Sequence, residues 1–352
     1  MNRQTRVGVV FVGLAWWLAG CTSPPEPRDA WPVQQVLEKY SQAVTSLTFS
    51  PDGRNVATLE SRSHPRGMRV SYAGKQFSQL GVWSVGDRRN ISRIEVDGDL
   101  FELQFSPDGS EVLTCTIDEL LRWNVTSNSL SRQPASAGWK TISPDGTTYA
   151  GRIGEDAEVL VVRKIGGDEL GERLDAAGER IVPIAFSSDG NCLATLVGPL
   201  LKSPHRVLIW DWRHGTVQSQ FPIKANSRWF FCFSPDGKLC AAASIDRETI
   251  EIWNPLTGMH VTTFDFDSDD IHGLTFSADS RLLVACGEAG SSKPQGGYAC
   301  VWDLATHQVC ARIRDDTTWG FTSVAFSPDG KRIAFGTGEG KIVFREVSTT
   351  VN

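Results

Sequence analysis

The chain has 352 residues, 40% of them hydrophobic and 22% charged, with a formal net charge of −6. This balance excludes disorder for most of the length and argues against a duplex-binding surface, so no nucleic-acid partner is expected. Thirty-three glycines and 12 tryptophans, with almost no long run of helix formers, point to one large or two ordinary all-β units of short strands and tight turns.

Residues 1–20 have a charged start at Arg3 and Arg6 and then an unbroken apolar run from Val7 to Leu18, too short to cross a bilayer comfortably as a helix. The order is that of an export signal. It closes on Leu18-Ala19-Gly20-Cys21, which resembles the bacterial lipoprotein signal. The resemblance implies that Cys21 carries the lipid on sulfur (palmitate or a similar acyl chain) and becomes the acylated N-terminus after cleavage. Losing residues 1–20 would take the charge from −6 to −8. An uncleaved anchor, or a cytoplasmic chain with a buried cysteine, is the alternative. Residues 21–30 hold Thr22-Ser23-Pro24-Pro25-Glu26-Pro27-Arg28, a proline-rich stretch without periodicity that reads as a stiff tether. Thr22 is not the aspartate that the resemblance associates with inner-membrane retention, so the outer membrane is favoured in a two-membrane envelope.

Residues 31–352 repeat one unit. Phe-Ser-Pro-Asp-Gly occurs intact at Phe49–Gly53, Phe105–Gly109, Phe233–Gly237 and Phe326–Gly330, with variants at Ile142–Gly146, Phe186–Gly190 and Phe276–Ser280. The seven aspartates, Asp52, Asp108, Asp145, Asp189, Asp236, Asp279 and Asp329, are spaced by 56, 37, 44, 47, 43 and 50 residues. Proline presets the first corner of a turn and glycine supplies the left-handed corner, so the pentapeptide is a hairpin and not a catalytic motif. Each copy then runs into a strand that ends at Trp83, Trp123, Trp210, Trp253 or Trp302, with Arg163 and Phe344 expected in the tryptophan's place in copies three and seven. Four-stranded units of this period, with Trp210-Asp211 and Trp302-Asp303, resemble the Trp-Asp (WD) repeat family of β-propellers. The resemblance implies a seven-bladed β-propeller of four-stranded antiparallel blades. The family's Gly-His pair is missing from every copy, so its hydrogen-bonded tetrad is absent or degraded.

The last copy supplies three strands and then stops. Trp31 to Tyr40 stands where the other copies have the outer strand of the preceding blade, so it is expected to complete blade seven and close the ring. A helix over Val36 to Tyr40 is the competing reading, because Gln34, Gln35, Leu37, Glu38 and Lys39 are good helix formers.

Signatures of chemistry are few. No glycine-flanked nucleophilic serine or paired-histidine zinc motif exists, and the six histidines are scattered. Gly336 to Lys341 has the glycines of a phosphate loop, but no hydroxyl follows the lysine, and a strand-connecting turn explains it. Asp265, Asp267, Asp269 and Asp270 alternate as calcium ligands do, yet Asp270 occupies the glycine position and Phe276 the twelfth, which favours a solvated loop. Seven cysteines remain after Cys21; export would permit a bridge between Cys232 and Cys240 or Cys286 and Cys300, and buried thiols are the preferred reading. No cofactor and no metal are expected.

The function these observations suggest is a monomeric, lipid-tethered interaction scaffold of the bacterial cell envelope, touching membrane only through its anchor. Catalysis is not expected; a propeller hydrolase or lyase with its site at the central channel, and an envelope assembly factor, are the alternatives. Partner binding is expected on the face that carries the connections between strands two and three and between blades. There the long loops near Ser61–Gln79 and Gly198–Arg206 bring Arg66, Arg69, Lys202 and Arg206, and Trp229 and Trp319 lie near the starts of innermost strands. Arginine beside exposed tryptophan is the composition of binding hot spots.

Overall fold

The computed structural model describes residues 33–37, 42–61, 77–136, 138, 140–153, 159–167, 171–198, 205–223, 230–244, 249–268, 270–289, 296–315 and 319–347. They form 28 strands, and no helix occurs among them. The first strand is β1 (Val33–Leu37). Blade one is β2 (Ala43–Phe49), β3 (Asn55–Ser61), β4 (Phe77–Ser84) and β5 (Arg89–Asp97). Blade two is β6 (Phe101–Phe105), β7 (Glu111–Cys115), β8 (Glu119–Asn124) and β9 (Ser129–Pro134). Blade three is β10 (Lys140–Ile142), β11 (Thr148–Ile153), β12 (Val159–Lys164) and β13 (Glu172–Asp175). Blade four is β14 (Ile181–Phe186), β15 (Cys192–Val197), β16 (His205–Asp211) and β17 (Thr216–Ile223). Blade five is β18 (Phe231–Phe233), β19 (Cys240–Ser244), β20 (Thr249–Trp253) and β21 (His260–Asp265). Blade six is β22 (Asp270–Phe276), β23 (Leu282–Glu288), β24 (Gly297–Asp303) and β25 (Gln308–Asp315). Blade seven is β26 (Phe321–Phe326), β27 (Arg332–Thr337), β28 (Ile342–Glu346) and, at its outer edge, β1.

Every sheet is four-stranded and antiparallel, and the first strands of successive blades adjoin one another around the ring, β26 against β2 included. This is a closed seven-bladed propeller. The sequence expectation of an N-terminal closing strand holds: Val33 pairs with Arg345 and Leu37 with Ile342, and Val36 and Leu37 are strand, not helix. Trp31 and Tyr40 lie outside the described residues. A second seam forms near the axis, where the hydroxyls of Thr322 and Ser323 donate to the carbonyl of Val44 at 2.6 and 3.0 Å, across nearly the whole length of the chain.

The pentapeptide makes the same turn seven times. In each copy the serine Oγ donates to the aspartate Oδ1 two residues on, at 2.5–2.7 Å. The same Oδ1 accepts the backbone N–H two residues further, and the serine Oγ accepts the N–H that opens the second strand. Glycine takes the left-handed corner at φ 67–72° in six copies, and Ser280 takes it at 60° in the sixth. All seven aspartates are held below the ordinary carboxylate range, Asp108 at about 2. For Asp52, Asp108 and Asp329 the serine hydroxyl is the largest cause. For Asp145, Asp189, Asp236 and Asp279 partial burial is the largest single effect and works the other way, and the hydrogen bonds together overcome it.

Between blades the tryptophan of the third strand packs on the outer strand of the blade before it. Trp253 stacks on Phe221 with centroids 4.8 Å apart, and Trp302 on Phe264 at 5.3 Å. Such pairs are worth about 0.5–1.5 kcal/mol beyond the area they bury. One sequence assignment is corrected here. In the other blades the tryptophan lies opposite the apolar residue four positions after the turn aspartate, as Trp302 lies opposite Leu283; in blade seven the residue opposite Ile333 is Arg345, not Phe344. Phe344 points the other way, into the seam with blade one beside Val56 and Trp83. Arg345 is buried and reaches the preceding blade as a tryptophan would, meeting the Asp315 carboxylate at 3.3 Å. Arg163, opposite Tyr149, holds the same place in blade three, so both substitutes are arginines.

Two outcomes follow from closure and turns. Deleting residues 31–40 exposes β28 as a free edge and should lower the thermal midpoint strongly, whereas deleting residues 22–28 should leave it unchanged; differential scanning calorimetry compares them. The turn aspartates have folded pKa values below their unfolded ones, so their stabilisation is complete above about pH 4 and is lost as the pH falls towards 2. Urea midpoints should fall through that window, and Asn replacements at several of the seven positions should flatten the fall.

Candidate functional site

Antiparallel order sorts every connection to one of two faces. The turns between strands one and two and between strands three and four share one, the turn face. The connections between strands two and three and between blades share the other, the loop face. Turn-face connections are short and similar. Loop-face connections differ from blade to blade, from the tight Gly336–Lys341 turn to the stretches at 62–76 and 199–204. Gly336–Lys341 is a strand-connecting turn as its sequence suggests: Thr337 N–H bonds the Lys341 carbonyl at 3.0 Å, and Lys341 pairs with Glu339 at 2.9 Å.

Of the residues expected to bind a partner, Arg66, Arg69, Lys202 and Trp229 lie outside the described residues, as does Cys21. Trp319 stands just before β26 on the loop face with 54% of its surface exposed. Arg206, on β16, is tied to the Glu179 carboxylate of the connection from blade three. Trp319 and Arg206 share a face but stand three blades apart, so the structure does not bring them together. Ile117, at the turn between β7 and β8, is half exposed on the same face.

Sequence reasoning missed the polar group in the channel. Glu102 sits on the innermost strand of blade two, at a bulge where its backbone is left-handed at φ 56°. Its side chain is exposed at the axial strand, yet crowding by surrounding groups is the largest influence on its carboxyl and pushes it up to about 7, against a hydrogen bond from Thr141. The readable signal was positional: three residues before the turn's first residue, the described copies hold Ser46, Glu102, Pro183, Phe230, Gly273 and Ser323, so Glu102 is the charged exception. Left-handed backbone at a non-glycine residue costs about 1–2 kcal/mol, so the bulge pays to aim this side chain.

Beside it, Lys140 is buried, and its ammonium donates to the carbonyls of Thr116, Ile117 and Gly138 at 3.1, 2.5 and 2.9 Å. That lysine locks the loop-face turn of blade two to the connection into blade three. Cys115, coupled to Glu102 and Lys140, is a poor nucleophile, since burial raises its thiol to about 12. The seven cysteines of the propeller are free thiols, and burial raises each one whose shift is resolved, Cys300 to about 12. Asp265 ends β21 and Asp270 begins β22; Asp269 lies outside the described residues, and among those described no three His, Cys, Asp or Glu side chains converge as metal ligands do.

Fold and repeat together define a seven-bladed propeller of four-stranded antiparallel blades. A family model described as "WD domain, G-beta repeat" matches residues 31–62. That segment runs from the outer strand of blade seven through the first two strands of blade one, so the sequence repeat is offset from the blade and its overlap closes the ring. The chain is 24% identical over 168 residues to periodic tryptophan protein 2 of Arabidopsis thaliana, covering 47% of this chain and 17% of the relative. It is 24% identical over 131 residues to Protein HIR1 of Candida albicans (35% and 14%), and 26% identical over 182 residues to an intraflagellar transport protein 122 homolog of Danio rerio (51% and 13%). The chain thus spans less than a fifth of the length of these relatives.

The raised Glu102 carboxyl gives a test with a definite sign. The folded protein holds this proton more tightly than the unfolded chain, so stability from this group is greatest below the unfolded value near pH 4.5 and is lost as the pH rises through 7. Glu102→Gln should therefore raise stability at pH 8 by about 1 kcal/mol, less than the shift alone would give because solvent screens an exposed side chain, and should change nothing at pH 4. Denaturant midpoints at the two pH values measure it.

Proposed function

We propose that this chain is a lipid-anchored interaction platform of a bacterial cell envelope, exported through residues 1–20, tethered at Cys21 and binding protein partners through its loop face. The observation that carries the binding reading is the asymmetry of the faces. Seven near-identical turns rigidify one face, while the large variation in connection length lies on the other, and recognition by loop variation on a fixed scaffold suits that division. Trp319, broad, apolar and half exposed there, is the anchor expected of such a surface, and the basic residues Arg66, Arg69, Lys202 and Arg206, with Trp229, complete it in this reading. WD-type propellers mediate protein interactions as a class, which supports the same conclusion by analogy of fold. The anchor reading rests on the order of charge, apolar run and Leu18-Ala19-Gly20-Cys21, and places the protein at the outer membrane where the envelope has two.

One experiment with two arms tests both halves. Cys21→Ser should release the protein from the membrane fraction with its melting curve unchanged, and serine protein that stays membrane-bound in high salt refutes the anchor. Trp319→Ala and Arg66→Ala should each weaken capture of envelope proteins by roughly tenfold, the size of a modest hot spot. Loss of capture on changing Arg54 and Lys331 of the turn face instead would assign binding to the wrong side.

A further inference from the structure

The turn between strands three and four has the same six-residue form in blades one, two, four, five and six, with a left-handed residue at its fifth position: Arg88, Asn128, Gly215, Gly258 and His307. The third position holds Gly86, Thr126, Arg213 and Ala305 in four of these blades, and the sixth holds Arg89, Ser129, Thr216 and Gln308. Blade five places Leu256 and Met259 at those two positions, 58% and 67% exposed. Asn254 fixes the turn by accepting the N–H groups of Leu256 and Thr257 at 3.0 Å, so both side chains are held outward by a rigid tip. Val261, the bulged residue of β21, is exposed beside them. Three exposed apolar side chains, Leu256, Met259 and Val261, thus crest one sector of the turn-face rim.

We propose that this crest rests in the interfacial region of the lipid bilayer, so that the turn face lies towards the membrane and the loop face away from it. This rests on the anchor reading above. Val33 pairs with Arg345 near the end of β28 that leads to the turn face, so the chain joins the propeller from that side. Cys21 to Pro32 is 12 residues and reaches at most about 40 Å. Presenting the loop face to the bilayer would use about half of that reach in running back along a blade, since a seven-residue strand is about 23 Å long. Most charge around the crest is paired: Lys238 with Asp236 at 3.3 Å and Arg281 near Asp303 at 4.0 Å, while Arg213 keeps its charge over the Trp212 ring. The contact is therefore apolar and does not depend on anionic headgroups. A few such side chains bind lipid weakly when free, but a tether holds them close enough for a weak contact to set the orientation.

The test uses the full lipidated chain in vesicles of phosphatidylethanolamine with a nitroxide-labelled headgroup lipid. A fluorophore is placed at Met259→Cys, at Leu256→Cys or, on the opposite face, at Ile117→Cys, and the unsubstituted chain gives the background of native thiols. Quenching at Met259 and Leu256 should be at least about threefold stronger than at Ile117, and adding phosphatidylglycerol or salt should not change the ratio. Equal quenching at the three positions, or stronger quenching at Ile117, overturns the proposal while leaving the anchor standing. A chain that fails to float with the vesicles refutes the anchor and this inference with it. Shielding of Met259 that appears without vesicles and grows with protein concentration assigns the crest to a second copy of the chain and also overturns it.

Discussion

Everything in this molecule depends on the pairing of β1 with β28. A propeller blade has two sheet edges, and the inner one is protected by crowding at the axis, but an outer strand is needed to cover the third strand of each blade. In six blades that strand follows directly in the chain. In the seventh it comes from more than 300 residues away, which makes ring closure the most non-local step of folding. The overlap lets six hairpin-built sheets and one composite sheet behave as a single body, and the Thr322 and Ser323 bonds to Val44 repeat the closure at the axis. A rigid ring in turn fixes where each loop leaves the scaffold.

The serine and aspartate of each pentapeptide divide the molecule into a constant side and a variable one. Three hydrogen bonds per turn satisfy the backbone at the corner without help from neighbours, so the turn carries its own instructions and can be copied. The described connections on the opposite side share no common wiring: Thr116 accepts the Asp118 and Glu119 N–H groups in one and Thr337 accepts the Lys341 N–H in another. The lysine at position 140 shows what is needed where a loop-face turn is held firmly: a buried ammonium shared among two carbonyls of that turn and one of the connection into the next blade.

Much of this was legible because the repeat writes the same physics seven times. The turn, the strand order and the closing strand could all be read from the spacing of Phe-Ser-Pro-Asp-Gly and from the missing last strand. What could not be read were places where one blade departs from the others in a way only register reveals. Phe344 looked like a tryptophan substitute because it is aromatic and near the right distance; pairing with Ile333 gives that place to Arg345. Glu102 carries no sequence signature, because a single acid in an apolar strand has no motif and its setting comes from a bulge on an axial strand of the closed ring. The basic loops expected to bind partners, around Arg66, Arg69 and Lys202, were chosen from composition, and composition does not place a side chain.

Arg345 also bears on how the ring closes in one register. Along β28, Ile342 and Phe344 face the seam with blade one, lined by Val44, Val56 and Trp83, while Val343 and Arg345 face blade six. Side chains alternate along a strand, so a slip of one residue would turn the guanidinium into that apolar seam and carry Phe344 towards Asp315. A buried charge stripped of its partner costs about 3–5 kcal/mol, far more than an aromatic misplaced onto another apolar wall. Tryptophan at this position would pack well in the correct register and tolerably in a wrong one. An arginine paired with Asp315 of the preceding blade adds little to stability over a well-packed tryptophan, but it penalises misregister of β28 on β27 and so fixes the edge that β1 meets, in the one blade whose sheet is assembled from both ends of the chain.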